Sequence, residues 1–310
     1  MNDRDLADYG RMMADSVRMT AYRRAIERVC PGRIVCEIGT GLGPLSLFAL
    51  RAGARRVYGI EVRGDVLAAA ERVIRANGFD ATRFVAVPGL SGDVTLPEPA
   101  DVLLSELLDS TGLGENTTVF LEDACRRLLG PGGVCLPAAL ECQAALSAPA
   151  AWAEEERLFA ETLPAEHGLS YHGLVPDLRR HPRSLSIASG ELLSAFRPFE
   201  QVVFGSGAPD PEPAAIDLIA QRAGRVTGIA IAFDATLAHG IHLRTFPGDP
   251  ATHWQQGFLP LRVPLAVKRG EWLRVTLRQE RTTSPVAPLR ARVSRVAERP
   301  DVRAPLGPRA

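Results

Sequence analysis

Apolar positions along this chain fall into two textures. In the first third, short all-apolar runs alternate with stretches of helical spacing. RIVCEIG (33–39) reads as a buried strand, followed by a glycine loop and an apolar helix, PLSLFALRAG, closed by Gly53. RVYGIE (56–61) is a second strand ending in an acid. Asp65 is placed to cap a helix, DVLAAAERVIRAN, whose Val66, Ala69, Ala70, Val73 and Ile74 share one face. After a turn at NGF, RFVAV (83–87) and ADVLLSE (100–106) supply two more strands. NTTVFLEDACRRLL (116–129) supplies a helix that ends at GPGG. Residues 11–29 show helical spacing through Met12, Val17, Ala21, Ile26 and Val29. Strands alternating with helices predict a parallel, doubly wound sheet.

After Pro137 the texture changes. VTGIAIAFDATL (226–237), FLPLRVPLAV (258–267), EWLRVTLRQE (271–280) and LRARVSRVA (289–297) are strand-like runs separated by Gly and Pro turns. They predict a largely antiparallel second domain, a sandwich or barrel. The expected division is 1–137 and 138–310. Between the textures, 151–182 reads as a broken helical segment too long for an ordinary loop, an arm or lid. The Pro- and Arg-rich tail from Arg299 is expected to fray.

At 310 residues the chain is long enough for two domains, and its 46% apolar content is ample for a core. Lys+Arg and Asp+Glu balance at 36 each, which argues against a nucleic-acid binder driven by bulk charge. Five scattered cysteines with no CxxC argue against a disulfide framework or zinc site, and fit free thiols in a reducing cytoplasm. The six histidines show no ligand spacing, and no metal is expected. The N-terminus lacks an apolar signal core and no membrane-length apolar run occurs, so a cytoplasmic protein with no membrane partner is expected. Abundant Arg, Ala, Gly and Pro with little Lys resemble the coding of a GC-rich bacterial genome.

Gly39, Gly41 and Gly43 follow a strand and open a helix, where backbone can approach a ligand closely. A dinucleotide fingerprint would need glycine at position 44, which is Pro44; the GxGxG spacing is the methyltransferase variant. Glu61, at the end of the next strand, suits two ribose hydroxyls. A tight structural turn is the bland alternative. Downstream, Glu106 and Glu115 lie nine residues apart in SELLDSTGLGEN. Two carboxylates at the end of a strand suit a flat cation with several N–H donors, such as a guanidinium. They can bias its charge, leave one nitrogen facing an incoming methyl group and accept a proton as the bond forms. The bland alternative for Glu115 is a helix cap. Asp109, in the same loop, reads as a turn former, and a lone His253 in a strand-rich region can be a satisfied structural group.

The runs IVCEIGTGLGPLSLFALRAGARRVYGIE, SELLDSTGLGEN and ATHWQQ (251–256), in that order, resemble the protein arginine methyltransferase family. The likeness spans about Tyr9 to about Arg278, and the GLGE ending of the glutamate loop is similar to the monomethylating, type III branch. It implies a Rossmann-like class I S-adenosylmethionine-dependent methyltransferase domain, then a β-barrel domain with a helical arm that mediates a homodimer. It also implies roles for residues. Arg18 would pair with the carboxylate of S-adenosylmethionine, and Met12 would pack near the sulfonium. Glu37, Gly39, Gly41, Gly43 and Glu61 would line the methionine and ribose portion, with Leu90 and Ser91 at the adenine. Glu106 and Glu115 would clamp the guanidinium, Trp254 would wall the arginine pocket, and His253 would pair with Asp15. Tyr9–Tyr22, YGRMMADSVRMTAY, resembles the family's N-terminal cofactor-covering helix. The Tyr-rich lid helix that usually precedes it has no counterpart in MNDRDLAD, so that lid is expected to be absent or replaced, and Gly92 stands where an acid is common.

The resemblance implies Nω-monomethylation, leaving S-adenosylhomocysteine. Similarity to arginine N-methyltransferases of bacterial natural-product pathways points to free L-arginine, with arginine in a peptide or protein as the alternative. The 151–182 segment is the candidate partner of the α-carboxylate and α-amine. A non-catalytic S-adenosylmethionine-binding scaffold and a small-molecule O-methyltransferase are rivals for which two carboxylates around the acceptor have no use.

Overall fold

The computed structural model describes residues 2–207, 213–279 and 288–296; the tail from Arg299 lies outside them. The N-terminus forms two helices, α1 (Asp3–Ala14) and α2 (Ser16–Val29), where the apolar spacing predicted one. The break is at Asp15, whose ψ of 93° is extended and whose carboxylate accepts the Arg18 N–H at 2.9 Å, capping α2. MNDRDLAD is therefore largely helix, beginning from an Asn2–Asp5 capping box.

The α/β part runs β1 (Ile34–Ile38), α3 (Pro44–Arg51), β2 (Arg56–Glu61), α4 (Gly64–Ala76), β3 (Phe84–Pro88), β4 (Ala100–Ser105), α5 (Thr117–Leu128) and β5 (Leu129–Leu136). Its strands are parallel in the order β3-β2-β1-β4-β5. α5 ends at Leu128, at the expected stop before GPGG, but GPGG itself lies inside β5; Pro131 is tolerated there because β5 is an edge strand of this sheet. Two helix details also differ from expectation. Asp65 sits in the first turn of α4 and does not cap it; Arg63 occupies the cap position and pairs with Asp65. Val73 is exposed, and Leu67 takes its place on the buried face.

The remaining elements are β6 (Ala139–Ser147), α6 (Ala150–Arg157), α7 (Leu163–His167), α8 (Val175–Leu178), β7 (Arg183–Leu185), β8 (Arg197–Val203), β9 (Ala214–Ile219), β10 (Gly224–Ala238), β11 (Ile241–Arg244), β12 (Gln256–Val267), β13 (Trp272–Gln279) and β14 (Leu289–Arg295). One antiparallel sheet has the order β7-β12-β10-β6-β8 with β11 on β10, and a second has the order β14-β13-β9. β10, almost wholly buried through Ile229, Ile231 and Phe233, is the spine of the larger sheet. The broken helical segment from α6 to α8 is tied down by Trp152, buried against Phe258 at 5.4 Å, and by Arg179, which donates to the Arg262 carbonyl at 2.8 Å.

The strand order reverses beside β1, between β2 and β4. The loops leaving the carboxyl ends of β1 and β4 flank that point, where open α/β sheets form a ligand crevice.

Candidate functional site

A cavity of about 1020 Å³ opens at this crevice, between the ends of β1, β2 and β4, the inner face of α1 and the loop before β12. Its lining includes Tyr9, Met12, Arg18, Glu37, Gly39, Gly41, Glu61, Leu90, Ser91, Glu106, Glu115, His253 and Trp254. Gly43 lies just behind, where an added Cβ would press on Ile74 and Ala70 of α4 at 3.2 and 3.3 Å.

The floor is the loop after β1. Gly39, Gly41 and Gly43 have φ of 72°, 55° and 81°, a left-handed conformation costly for other residues. Glu61 braces the loop, accepting from the Gly41 N–H and the Arg63 N–H at 3.0 Å each. Glu37 is buried one strand over. Burial raises its carboxyl to about 8, and the Ser46 hydroxyl, donating to it, offsets only part of that. The Gly89–Val94 loop after β3 is held from below by Arg127 of α5, which donates to the carbonyls of Ser91 at 2.6 Å and Val94 at 2.9 Å.

The roof is α1. Tyr9 lies over Gly41, whose added Cβ would come within 3.2 Å of the ring, and packs with Leu42, Val66 and Ala69. Arg63 links Asp5 at 2.8 Å to Asp65 at 3.0 Å, joining α1 to α4. The segment 9–22, which the family likeness reads as one covering helix, is split at Asp15; its first part lies in α1, which starts earlier, within MNDRDLAD, and lies over the cavity.

The far wall carries the charges. Arg18 and Glu106 form an ion pair, with side chains 7% and 13% exposed. Arg18 also donates to the Met12 carbonyl at 2.8 Å and stacks 5.7 Å from the Trp254 ring centre, yet its buried Nε has no partner. α2 is registered by Tyr22, whose buried hydroxyl donates to the Ser105 carbonyl at 3.0 Å, one residue before Glu106. Glu115 faces the same cavity. It is not the cap of α5, since Asn116, at φ 55°, holds that position with no side-chain cap bond. Burial, then Glu106, then Asp109 raise the Glu115 carboxyl to about 8. Burial raises Glu106 to about 7 against the pull of Arg18. Two carboxyls poised near neutrality in one cavity are unusual for glutamates and point to a cationic or proton-donating ligand.

His253 and Trp254 come from the loop before β12. His253 donates its backbone N–H to Asp15 at 2.8 Å and places Nδ1 2.9 Å from the same oxygen. Burial holds its ring below the usual histidine range, although Asp15 pulls the other way. Trp254 donates its indole N–H to the Leu108 carbonyl at 2.7 Å and accepts the Ser184 hydroxyl at its own carbonyl. From the 151–182 segment, no residue lines this cavity; Ser184, just beyond it, does. Tyr9, Tyr22 and Ser184 had no role assigned from sequence. Their signal is long-range contact, which spacing does not carry. Among the described residues no cluster of metal-ligating side chains occurs, and no helix is long and apolar enough to cross a membrane.

None of the family models compared with the chain matches it. Curated relatives do. An arginine N(omega)-methyltransferase of Streptomyces achromogenes subsp. streptozoticus is 32% identical over 270 residues, covering 86% of this chain and 74% of the relative. A probable histone-arginine methyltransferase CARM1 of Oryza sativa is 30% identical over 281 residues; the chain spans about half, 52%, of that protein's length. Among solved structures, the Trypanosoma brucei PRMT1 enzyme-prozyme heterotetrameric complex with AdoHcy superposes with a TM-score of 0.77 at 21% identity, over 93% of this chain and 97% of that one. Protein arginine methyltransferase 10 of Arabidopsis thaliana superposes at 0.73 over the same shares, also at 21% identity. With this fold, the loops at the ends of β1 and β4, and a relative matched over most of both chains, the chain belongs to the protein arginine methyltransferase family.

Proposed function

We propose that this chain transfers a methyl group from S-adenosylmethionine to a guanidinium nitrogen of free L-arginine, giving Nω-monomethyl-L-arginine. The observation that carries the reading is the placement of Glu106 and Glu115 in one cavity with the glycine loop of β1.

The residues fit the cofactor. The buried, unpartnered Nε of Arg18 suits a carboxylate, and a guanidinium has enough donors to keep Glu106 and Met12 as well. Glu61, fixed by two backbone donors, keeps lone pairs for ribose hydroxyls. Glu37, Gly39, Gly41 and Gly43 would border the methionine and ribose portion, Leu90 and Ser91 the adenine, and Met12 the sulfur. When bound, S-adenosylmethionine supplies a methyl group on positively charged sulfur. Glu106 and Glu115 hold two guanidinium nitrogens and leave the third on the methyl side, with Trp254 as the wall. Carboxyls raised to about 7 and about 8 are matched to accept the departing proton near neutral pH. Asp15 and His253 tie the cofactor-covering helices to the antiparallel sheet.

Free L-arginine is favoured because the Streptomyces relative, matched over most of both chains, is named for arginine itself and not for a protein substrate. A role in bacterial natural-product biosynthesis belongs to the same proposal. A cytoplasmic homodimer, docked through the α6–α8 segment, completes the reading, with 1–137 as the cofactor domain and 138–310 as the substrate and dimer domain. Mass spectrometry of the purified enzyme with S-adenosylmethionine and either L-arginine or an Arg-Gly-rich peptide tests it. One added methyl on free arginine with the peptide untouched supports it. Methylation of the peptide alone replaces the substrate, and methylation of neither removes the reading.

A further inference from the structure

The loop that carries Glu115 into the cavity holds a third carboxylate, Asp109, for which the guanidinium clamp has no use. Asp109 Oδ1 accepts the Thr111 N–H at 2.9 Å, the Thr111 hydroxyl at 2.7 Å and the Gly114 N–H at 2.9 Å. Its own carbonyl accepts the Gly112 N–H at 2.9 Å. One side chain therefore gathers the turn between the two glutamates into a closed knot, the residue just before Glu115 included. The fit admits only glycine at the far end: a Cβ at Gly114 would stand 2.1 Å from Asp109 Oδ2 and 2.5 Å from its Cγ. Gly114 is not among the glycines with a left-handed φ, so its glycine serves this close approach and not an unusual backbone conformation. The knot is seated from outside as well. Thr117 donates to the Leu107 and Gly112 carbonyls, and Gln279 donates to the Leu113 carbonyl.

We propose that Asp109 is a positioning residue for the methyl transfer, its carboxylate clasping the turn 109–114 so that Glu115 is delivered into the cavity that Glu106 lines. The inference rests on the reading of Glu106 and Glu115 as the guanidinium clamp. Asp109 borders the same cavity, but in this role it acts through Glu115 by setting where that carboxyl stands. Its charge also bears on Glu115, as the third contribution to that carboxyl's raised pKa.

The test compares Asp109→Ala, Asp109→Asn, Gly114→Ala and the double variant Asp109→Ala/Gly114→Ala, beside Glu106→Gln and Glu115→Gln. For each, kcat with saturating arginine, the dissociation constant for S-adenosylhomocysteine and the thermal melt are measured. Misplacing a clamp by an ångström costs on the order of a hundredfold in rate. Asp109→Ala is expected to lose roughly tenfold to a hundredfold in kcat with S-adenosylhomocysteine affinity unchanged. Asp109→Asn keeps an oxygen that accepts the same three bonds, and recovers most of kcat. Gly114→Ala expels the carboxylate and reproduces the alanine defect; the double variant is no worse than the poorer single one, because both break one contact. Should Asp109→Ala fail to fold, Gly114→Ala against Asp109→Asn makes the same comparison. Unchanged kcat in Asp109→Ala while Glu115→Gln is inactive overturns the clasp alone. So do additive losses in the double variant, or losses in kcat matched by losses in S-adenosylhomocysteine affinity. Full turnover in both glutamine variants overturns the clamp reading instead.

Discussion

One oxygen of Asp15 receives both the backbone N–H and the ring nitrogen of His253, at 2.8 and 2.9 Å, while the other oxygen caps α2 through the Arg18 N–H. Burial pushes the Asp15 carboxyl up, but these bonds outweigh it and hold the group below the usual aspartate range. A helix cap is worth about 1 kcal/mol, and a hydrogen bond to a charged group about 1.5–3 kcal/mol. Asp15→Ala removes both kinds of bond at once, whereas His253→Ala leaves the cap and the backbone bond. Asp15→Ala is therefore expected to lower the urea midpoint more than His253→Ala. Equal losses would place the stabilisation in the ring contact and not in the cap.

Glu106 and Glu115 separate by what else they touch. Glu106 pairs with Arg18 and accepts the Leu108 N–H at 3.3 Å, while among the described residues none donates a hydrogen bond to the Glu115 carboxylate. Glu115→Gln is expected to cut kcat by about a hundredfold or more with S-adenosylhomocysteine binding intact. Glu106→Gln, which also leaves the buried Arg18 charge without its partner, should show the same loss together with weakened or altered cofactor affinity. Isothermal titration beside steady-state kinetics distinguishes the two; identical binding profiles would mean that the Arg18–Glu106 pair does not set the cofactor subsite.

Raised carboxyl pKa values give a pH signature with a definite sign. A clamp that works ionised gains as protons leave, so kcat/KM is expected to climb through the interval set by about 7 for Glu106 and about 8 for Glu115. Stability runs the other way. The folded-state pKa of Glu115 lies above its ordinary value of 4.5, so the stability it contributes is complete below that value and is lost as pH rises towards about 8. Glu115→Gln should thus raise the melting temperature of the ligand-free protein at pH 8.5 and change it little at pH 4.5. A melting temperature unaffected at pH 8.5 would contradict the buried, charge-crowded placement of this side chain.

The alternation of strands and helices up to Leu128, the glycine loop and the two glutamates were legible because each is local. IVCEI is buried along its whole length, and a glycine run after such a strand has few structural uses. What spacing did not reveal depends on distant partners. The break at Asp15 arises because its carboxylate has two clients, Arg18 and His253, the second 238 residues away. β5 was hidden by glycine and proline, which an edge strand accepts and a central one rejects. β6 and β8 carry Glu141 and Glu200 within them; Glu200 is buried where β8 pairs with β6, so neither run looks apolar enough in isolation. Asp109 did read as a turn former, but the number of bonds it gathers, and the reason Gly114 must be glycine, appear only in three dimensions.

The helix over the cavity supplies the last prediction. Besides the Arg18 bond to the Met12 carbonyl, α1 is held down by two unlike attachments. Arg63 bridges Asp5 and Asp65 at a surface where its side chain is 42% exposed, and Tyr9 packs on Leu42, Val66 and Ala69 above Gly41. Exposed ion pairs contribute little and fade with salt, whereas burying an aromatic ring contributes more and does not. Arg63→Ala is expected to weaken S-adenosylmethionine binding by only about twofold to fivefold, with the difference vanishing at high ionic strength. Tyr9→Ala should weaken it by about tenfold or more at every salt concentration, with faster amide exchange along α1. If Tyr9→Ala bound the cofactor as tightly as the unaltered chain, α1 would not be the cover of this site, however closely it lies over the glycine loop.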